Sequence, residues 1–598
     1  MIIGMIEKSI KKTLNRINKE QKIRKYVNFG NYVVNKIKKE LAQKIDALKT
    51  ELEMPPEHIK ADLSMAVFSL AEASKINPKK LAEDIANIIN NNKLNYIESA
   101  RATGSYVNFD LKKNIVYKQI LNEINKLNDK YGESDANKNK IALIDYSSPN
   151  IAKPMGVGHL RSTIIGQALA NIYHKTGFSV IKDNHLGDWG TQFGKLIYAY
   201  QAWGDKERIS KNPIKELNNL YVKFNKEAEE NPELNGKARE LFKKLEQGDK
   251  QFVKLWQKFS KLSVKDFNKT YKKLNVKFDT YIGESYFAFA ANEEVKKALK
   301  QGIAKKDLIT GAIIVDSLDK MPSFLLQKQD GSTLYITRDL AALKFRIKIF
   351  KPDVILYVVG EEQKLNFRQL FGLSKAMSIL DKVKAKHISF GLFLAGGEKM
   401  STRKGTLVEL EELIDKSVAK SKEILREKNK EISEKEVSKT SEIIGIGAIV
   451  YNDLRQSRQK NISFDWKRML DFDGGSAVYL QYTYARINSI LKKTSDARAQ
   501  PVKTSKIIFE KDSEFALAKK LMFYPLVIVN SQKFDSPHLI AAYLEELAQF
   551  FNNFYNNVPI IKTKGENLRY SRLMLIKSVA VVIKGGLELL NIKVAERI

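Results

Sequence analysis

Apolar residues recur at two different periods along the chain, and the changes of period divide it. A spacing of three and four runs through residues 37–52 and stops at Pro55-Pro56. It returns over 66–73 and 79–90, with Asn77-Pro78 between them. Residues 94–99 and 105–111, either side of Gly104, read as short strands. From about 140 the pattern changes. The run KIALIDYSS (140–148) is a continuous apolar strand, followed by a turn containing Gly156 and Gly158, a helix over 159–173 and a second strand over 178–183. Further strands are expected at 333–337, 354–360 and 387–392, with helical segments between some of them. Residues 205–280 are helical and densely charged, an insertion. Beyond 408 strand signals fade, and helical patterns recur around Ile424 and over 443–453, 476–493, 514–523, 539–556 and 570–590.

Strands alternating with helices predict an α/β fold with a doubly wound parallel, Rossmann-like sheet. It is preceded by a small α/β module and followed by an all-helical bundle. The expected domains are 1–115, 116–407 with its insertion near 205–280, a connecting helical segment 408–465, and 466–598.

Composition narrows the classes. At 598 residues and 43% hydrophobic, the chain can bury several cores, which excludes a mostly disordered protein. The 102 Lys+Arg against 69 Asp+Glu give +33, which favours a polyanionic partner, although lysines spread along the whole chain also fit a general compositional bias. With no cysteine, disulfides, thiolate zinc and iron–sulfur ligation are excluded. The first residues lack the long apolar core of a signal peptide, and no apolar run is long enough to span a bilayer. A cytoplasmic protein without membrane partners is expected.

The segment SSPNIAKPMGVGHLRST (147–163) lies where an open parallel sheet binds ligands, beyond the carboxyl end of its first strand. Its glycines let the backbone approach a phosphate, the following helix N-terminus attracts anions, and Lys153 and His159 add donors. By themselves the glycines are an ordinary strand–helix turn. A second basic segment, GGEKMSTRKGT (396–406), can neutralise charge on a leaving phosphate, and by itself is a solvated basic segment. Tyr335 and Asp339 stand four apart at the entry to a helix, and Asp145, Ser148, Asn150 and Gln363 stand near strand ends. Carboxylates so placed suit a planar cation with paired donors. Singly, each has a structural alternative.

Taken in order, these strings resemble the class I aminoacyl-tRNA synthetases, and specifically the arginyl-tRNA synthetase family. Gly156-Val157-Gly158-His159 stands at the family's first signature, with Gly156 where a histidine is usual. Lys399-Met400-Ser401 opens the second, with Thr402 replacing its later lysine and Arg403 and Lys404 adjacent. The resemblance covers essentially the whole chain and implies its chemistry. Lys153, His159, Lys399, Arg403 and Lys404 would act on the phosphates. Gly156, Gly158, His159, Met400 and Ser401 would bind ATP, which carries Mg2+. Asp339, Tyr335 and Asp145 would hold a guanidinium, and Asn150, Ser148 and Gln363 an α-ammonium. Asp145 stands where glutamate is frequent and Asn366 where histidine is. LGDWGTQFG (186–194), with Asp188, Trp189 and Gln192, is another match. The helical end resembles the family's anticodon-binding bundle, with Tyr479, Tyr482, Arg486 and Tyr555 as RNA contacts, and the first module its elbow-binding domain, with Asn108 as a contact. L-arginine, ATP and a cognate tRNA are the implied partners of a monomer. A tRNA-binding protein that has lost catalysis, motivated by Gly156, and a small-molecule nucleotidyltransferase are the competing readings. Pyrophosphate exchange and tRNA charging separate them.

Overall fold

The computed structural model describes residues 52–598 except 57, 93, 319, 396–397, 400–408, 429–432, 464, 472–473 and 496–505. The expected helix at 37–52 lies outside these residues but for its last position. The chain forms two compact units, one built mainly on 137–430 with 445–469, the other on the first module, 431–444 and 470–598.

In the first unit, β1 (Ile141–Asp145) leads into α1 (Val157–Lys175) and β2 (Ser179–Asn184). The insertion includes α2 (Pro213–Glu230) and α3 (Lys250–Lys273). Then come β3 (Thr280–Tyr281), α4 (Glu284–Lys300), α5 (Tyr335–Phe350), β4 (Val354–Tyr357) and β5 (Lys384–His387). The sheet order is β5-β4-β1-β2-β3 with every pairing parallel. Such strands are covered on both faces, which is why β1 reads as an unbroken apolar run. The chain works outward from β1 to β2 and β3, then crosses to β4 and β5. The reversal opens a crevice between the carboxyl ends of β1 and β4. The register aligns His387, Tyr357, Asp145 and Asp183 in one row along that edge. Beneath it, Leu143 and Ile181 of the strands pack with Phe287 of α4, Leu340 and Leu343 of α5, and Ile355. Truncating one such leucine to alanine costs about 2–5 kcal/mol.

Two strand expectations are corrected. Residues 333–337 do not form a strand: α5 begins at Tyr335. The β-branched Thr333, Ile336 and Thr337 suggest extended chain, but Ile336 and Thr337 are buried and the Thr337 hydroxyl donates to the Leu326 carbonyl, so tertiary packing decides. The strand expected at 387–392 ends at His387, and a separate hairpin, Phe393–Ala395 with Glu398–Lys399, pairs with Ile462–Ser463. A three-stranded antiparallel sheet over Ala304–Lys306, Ile313–Val315 and Phe324–Gln327 has no counterpart in the sequence reading.

In the second unit, a four-stranded antiparallel sheet runs in the order Leu52–Glu53, Leu63–Ala66, Tyr106–Leu111, Ile97–Thr103. The helix Lys113–Leu127 leaves this sheet and packs on Asp512–Met522 and Glu566–Leu589 of the helical end. It therefore packs with the bundle and not with the parallel-sheet unit. Lys519 reaches Asp62 at 3.2 Å, and the buried Arg572–Glu514 pair closes at 2.6 Å within the bundle.

Candidate functional site

The turn after β1 is held in a conformation that its residues disfavour. Ser147, Ser148 and Ala152 have φ of 74°, 47° and 62°, left-handed values that cost a non-glycine residue about 1–3 kcal/mol each. Surrounding hydrogen bonds fix them. The Ser147 amide donates to Ser162 Oγ at 2.8 Å, and its hydroxyl shares a 2.8 Å bond with Tyr271 of α3. The Ser148 amide donates to Asn184 Oδ1 at 3.2 Å and the Ala152 amide to Ser263 Oγ at 2.8 Å. Asn150 is exposed, and its carboxamide lies against Gly187, where a Cβ would come within 2.1 Å of Oδ1. The glycine of LGDWG thus leaves room for the Asn150 side chain.

α1 starts at Gly156, whose backbone is extended at φ −88°. The Gly156 N–H donates to His159 Nδ1 at 3.1 Å. A neutral imidazole so engaged carries its proton on Nε2, which is then a donor for an anion. Burial, with Lys153 nearby, lowers the His159 pKa and favours that neutral form. A Cβ at Gly158 would meet nothing within 4 Å, so the helix start is open at that point. Lys153 Nζ stands 4.4 Å from the ring centroid of Tyr221 in α2.

On the other side, carboxylates and guanidinium groups interleave. Arg346 of α5, 2% exposed, bonds Asp145 at 2.8 Å and Asp183 at 2.7 Å. Asp145 also accepts from Ser148 Oγ at 3.2 Å. Its carboxylate, expected to meet a ligand, is thus already engaged on two sides. Burial raises the Asp183 pKa against the opposing pull of Arg346. Asp339 lies two helical turns before Arg346. Burial pushes its pKa up to about 6, with Asp145 adding to the rise, while Arg346 and the Asn366 amide at 3.4 Å oppose it. Tyr335 is 62% exposed and its ring is covered on one face by the Arg338 guanidinium at 4.8 Å. Arg338 pairs with Glu284 at 3.1 Å, whose pKa burial raises to about 7. Gln363 ends a short 3-10 turn after β4 and is exposed.

Asp188 and Trp189 hold structure. Asp188 accepts from the Ser285 amide at 2.8 Å and hydroxyl at 2.7 Å, so it secures the start of α4, and burial raises its pKa to about 6. Trp189 packs edge-on against Phe242 and Trp256.

Met400, Ser401, Arg403 and Lys404 lie outside the described residues, and so does the side chain of Lys399. The ends of their segment are placed. Lys399 pairs with Leu394, and Glu409 forms a bridge with Gly156 while the Leu410 amide donates to the Met155 carbonyl at 2.9 Å. Glu409 and Leu410, beyond the second signature segment, are thus joined through backbone to Met155 and Gly156 of the first. Arg161, fully buried in α1, reinforces the arrangement. It bonds Asp453 through Nε at 3.0 Å and Nη2 at 3.2 Å, and the carbonyls of Gly391 at 2.7 Å and Lys460 at 2.9 Å. Arg161, Glu284, Arg346 and Tyr221 carry no role in the sequence reading. Arg346 had a signal: it lies seven residues after Asp339, on the same helical face.

In the second unit, Arg486 lies between two rings, 4.8 Å from Tyr482 and 5.4 Å from Tyr555, and reaches Asn552 Oδ1 at 3.5 Å. Tyr555 is 38% exposed. Tyr479 is buried instead, its hydroxyl accepting from Asn552 at 2.7 Å. Asn108 is also buried. It is bonded to Ser64 and, at 3.0 Å, to Thr103 Oγ1 within the sheet, which corrects the expectation of an RNA contact there. Phe68 and Tyr106, an edge-to-face pair at 5.7 Å, are exposed aromatics of that module among the described residues.

Three family models match the chain: the arginyl tRNA synthetase N-terminal domain over 4–111, the catalytic domain of class I (R) tRNA synthetases over 120–466, and the DALR anticodon binding domain over 480–598. Arginine–tRNA ligase from Clostridium perfringens is 40% identical over 577 residues, 96% of this chain and all of the relative. That from Clostridium kluyveri is 38% identical over 571 residues, with 96% and full coverage. The fold is shared with arginyl-tRNA synthetase of Plasmodium falciparum (TM-score 0.77, 24% identity, 96% of this chain and 100% of that one). It is shared too with that of Thermus thermophilus (0.78, 21%, 94% and 100%).

Proposed function

The chain belongs to the arginyl-tRNA synthetases of class I, and we propose that the crevice between β1 and β4 carries both steps of its reaction. It is an ATP-dependent ligase joining L-arginine to tRNA(Arg) in protein synthesis. In the first step the arginine carboxylate attacks the α-phosphate of ATP and pyrophosphate leaves. In the second the terminal ribose 2′-hydroxyl of tRNA attacks the adenylate carbonyl. No covalent enzyme intermediate is needed, so the protein's contribution is positioning and charge stabilisation.

The guanidinium is held by Asp339 and the open face of Tyr335. Asp145 contributes through its charge, one oxygen being bonded to Ser148 and the other to Arg346. Asn150, Ser148 and Gln363 orient the α-ammonium. His159, donating from Nε2, and Lys153 contact phosphates at the start of α1, where Gly156 and Gly158 admit the nucleotide. Met400, Ser401, Lys399, Arg403 and Lys404 approach from the second signature segment. Mg2+ enters with ATP, and no group of three or more potential ligands is found among the described residues. The observation that carries this reading is the pair formed by half-buried Asp339 and exposed Tyr335 in the first turns of α5, with Asp145, at the carboxyl end of β1, acting electrostatically on Asp339.

Tyr482, Arg486 and Tyr555 contact the anticodon, and residues 1–115 grip the tRNA elbow, with Phe68 and Tyr106 better placed there than Asn108. Residues 408–465 connect the parts. The enzyme acts as a monomer in the cytoplasm. No helix among the described residues is long and apolar enough to cross a membrane. Charging of tRNA across all twenty amino acids tests the assignment, with arginine alone expected. First-step exchange is expected only with tRNA present. Tight tRNA binding with no arginine-dependent exchange would leave a binding protein instead.

A further inference from the structure

The helical insertion meets the phosphate side of the site through Ser263 and Tyr271 of α3 and through one ring of α2. Pro213 fixes the first turn of α2, which buries Ile214, Leu217, Leu220 and Phe224. Tyr221, next to Leu220, remains half-buried, with Lys153 over its face at 4.4 Å. The same helix acts electrostatically on two other parts of the site. Tyr221 contributes to the raised pKa of the Tyr335 phenol, after burial and Glu284. Lys215 opposes the raised pKa of Glu409, the residue bridged to Gly156. The backbone beside Lys153 is fixed by the Ala152 amide bond to Ser263 of α3. What is left to set the lysine's direction is its side chain.

We infer that Tyr221 is a positioning residue for adenylate formation, holding the Lys153 ammonium on its ring face for use by the phosphates of ATP. This rests on the reading of Lys153 as a phosphate-binding residue. The chemistry of the holder matters. A carboxylate in this place would neutralise the ammonium and form a charge-assisted bond that a phosphate must displace. A ring attracts the cation through its quadrupole and leaves the full positive charge in place. A triphosphate outcompetes such a ring easily. The ring therefore narrows the lysine's range before ATP arrives without contesting it afterwards. It also ties the insertion to a step that none of the insertion's own residues performs.

A double-mutant cycle on the full chain, read by tRNA-dependent ATP–pyrophosphate exchange, tests this. Tyr221→Phe keeps the ring and is expected to stay within about twofold of the unsubstituted rate, as the cation–ring attraction persists. Tyr221→Leu keeps bulk but loses the quadrupole, and its exchange kcat should fall about tenfold with the arginine KM unchanged. Added to Lys153→Met, the same leucine should have no further effect. Equal losses in the Phe and Leu variants, or full additivity with Lys153→Met, would overturn the inference while leaving the role of Lys153 intact. Unreduced exchange by Lys153→Met alone would remove that role, and the inference with it. Thermal unfolding of each variant shows whether it folds, and Tyr221→Met replaces a leucine variant that does not.

Discussion

Two regions of this molecule place an arginine against tyrosine, and they do so to opposite ends. At the sheet edge Arg346 lies 5.4 Å from the ring of Tyr357, is 2% exposed, and is bound to two carboxylates. In the bundle Arg486 lies between Tyr482 and Tyr555, with a long bond to the Asn552 amide. The first cation is spent on its partners: it makes it possible to bury Asp145 and Asp183 beside the proposed guanidinium site. The second keeps charge and ring surface available for the polyanion proposed to bind there. On that proposal the same pair of residue types is scaffold in one place and contact surface in the other, and burial together with the carboxylates decides which.

The comparison breaks most visibly at Arg346. Arg346→Met strands two buried carboxylates and should cost roughly 3–5 kcal/mol of stability by urea denaturation. Arg486→Met should cost less than about 1 kcal/mol, as expected of a partly exposed site. Equal costs would end the distinction. Asp339→Asn comes next. It should raise the arginine KM about 100-fold or more while leaving the tRNA KM unchanged, because a desolvated charge partner is lost. Tyr555→Ala should do the reverse, raising the tRNA KM roughly 5- to 100-fold through lost stacking and leaving arginine and ATP untouched.

The pH profile sharpens the first region further. In the proposed site Asp339 binds a cation as its carboxylate, and its pKa is raised to about 6. It is therefore ionised above that pH and progressively protonated below it. Arginine kcat/KM should fall about tenfold between pH 7 and pH 5. Asp188 and Glu284, also raised, titrate nearby, so the component due to Asp339 is the part missing from the Asp339→Asn profile. The smallest effect is expected from Gly156→His. The extended backbone at Gly156 accepts any residue, and its amide bond to His159 survives the change. One added phosphate donor should lower the ATP KM roughly two- to tenfold.

Much of this was legible in the sequence because it is local. The apolar run of β1, the helix start at Gly156 and the helical bundle all follow from spacing over a few residues, and Tyr335 with Asp339 from a separation of four. Tyr482 and Arg486 share one helix as their spacing implies, and the fold brings Tyr555 to them. What was not legible depends on distant partners. Tyr479 reads like Tyr482, yet it is buried, and the difference lies in Asn552, far along the chain. Asn108 is expected as an RNA contact from the resemblance, yet Ser64 and Thr103 bond its side chain within the sheet. Asp145 is where it was expected, but its engagement with Arg346 depends on the packing of α5 against the sheet. Tyr221 has no motif at all, because its only distinction is the lysine that the fold brings to it.

Backbone pairing joins the start of α1 to chain far along the sequence: Glu409 bridges Gly156, and the Leu410 amide donates to the Met155 carbonyl at 2.9 Å. Contacts of such sequence separation are costly to close and slow to form. The phosphate-facing turn is therefore expected to be completed late in folding, after the sheet that carries it.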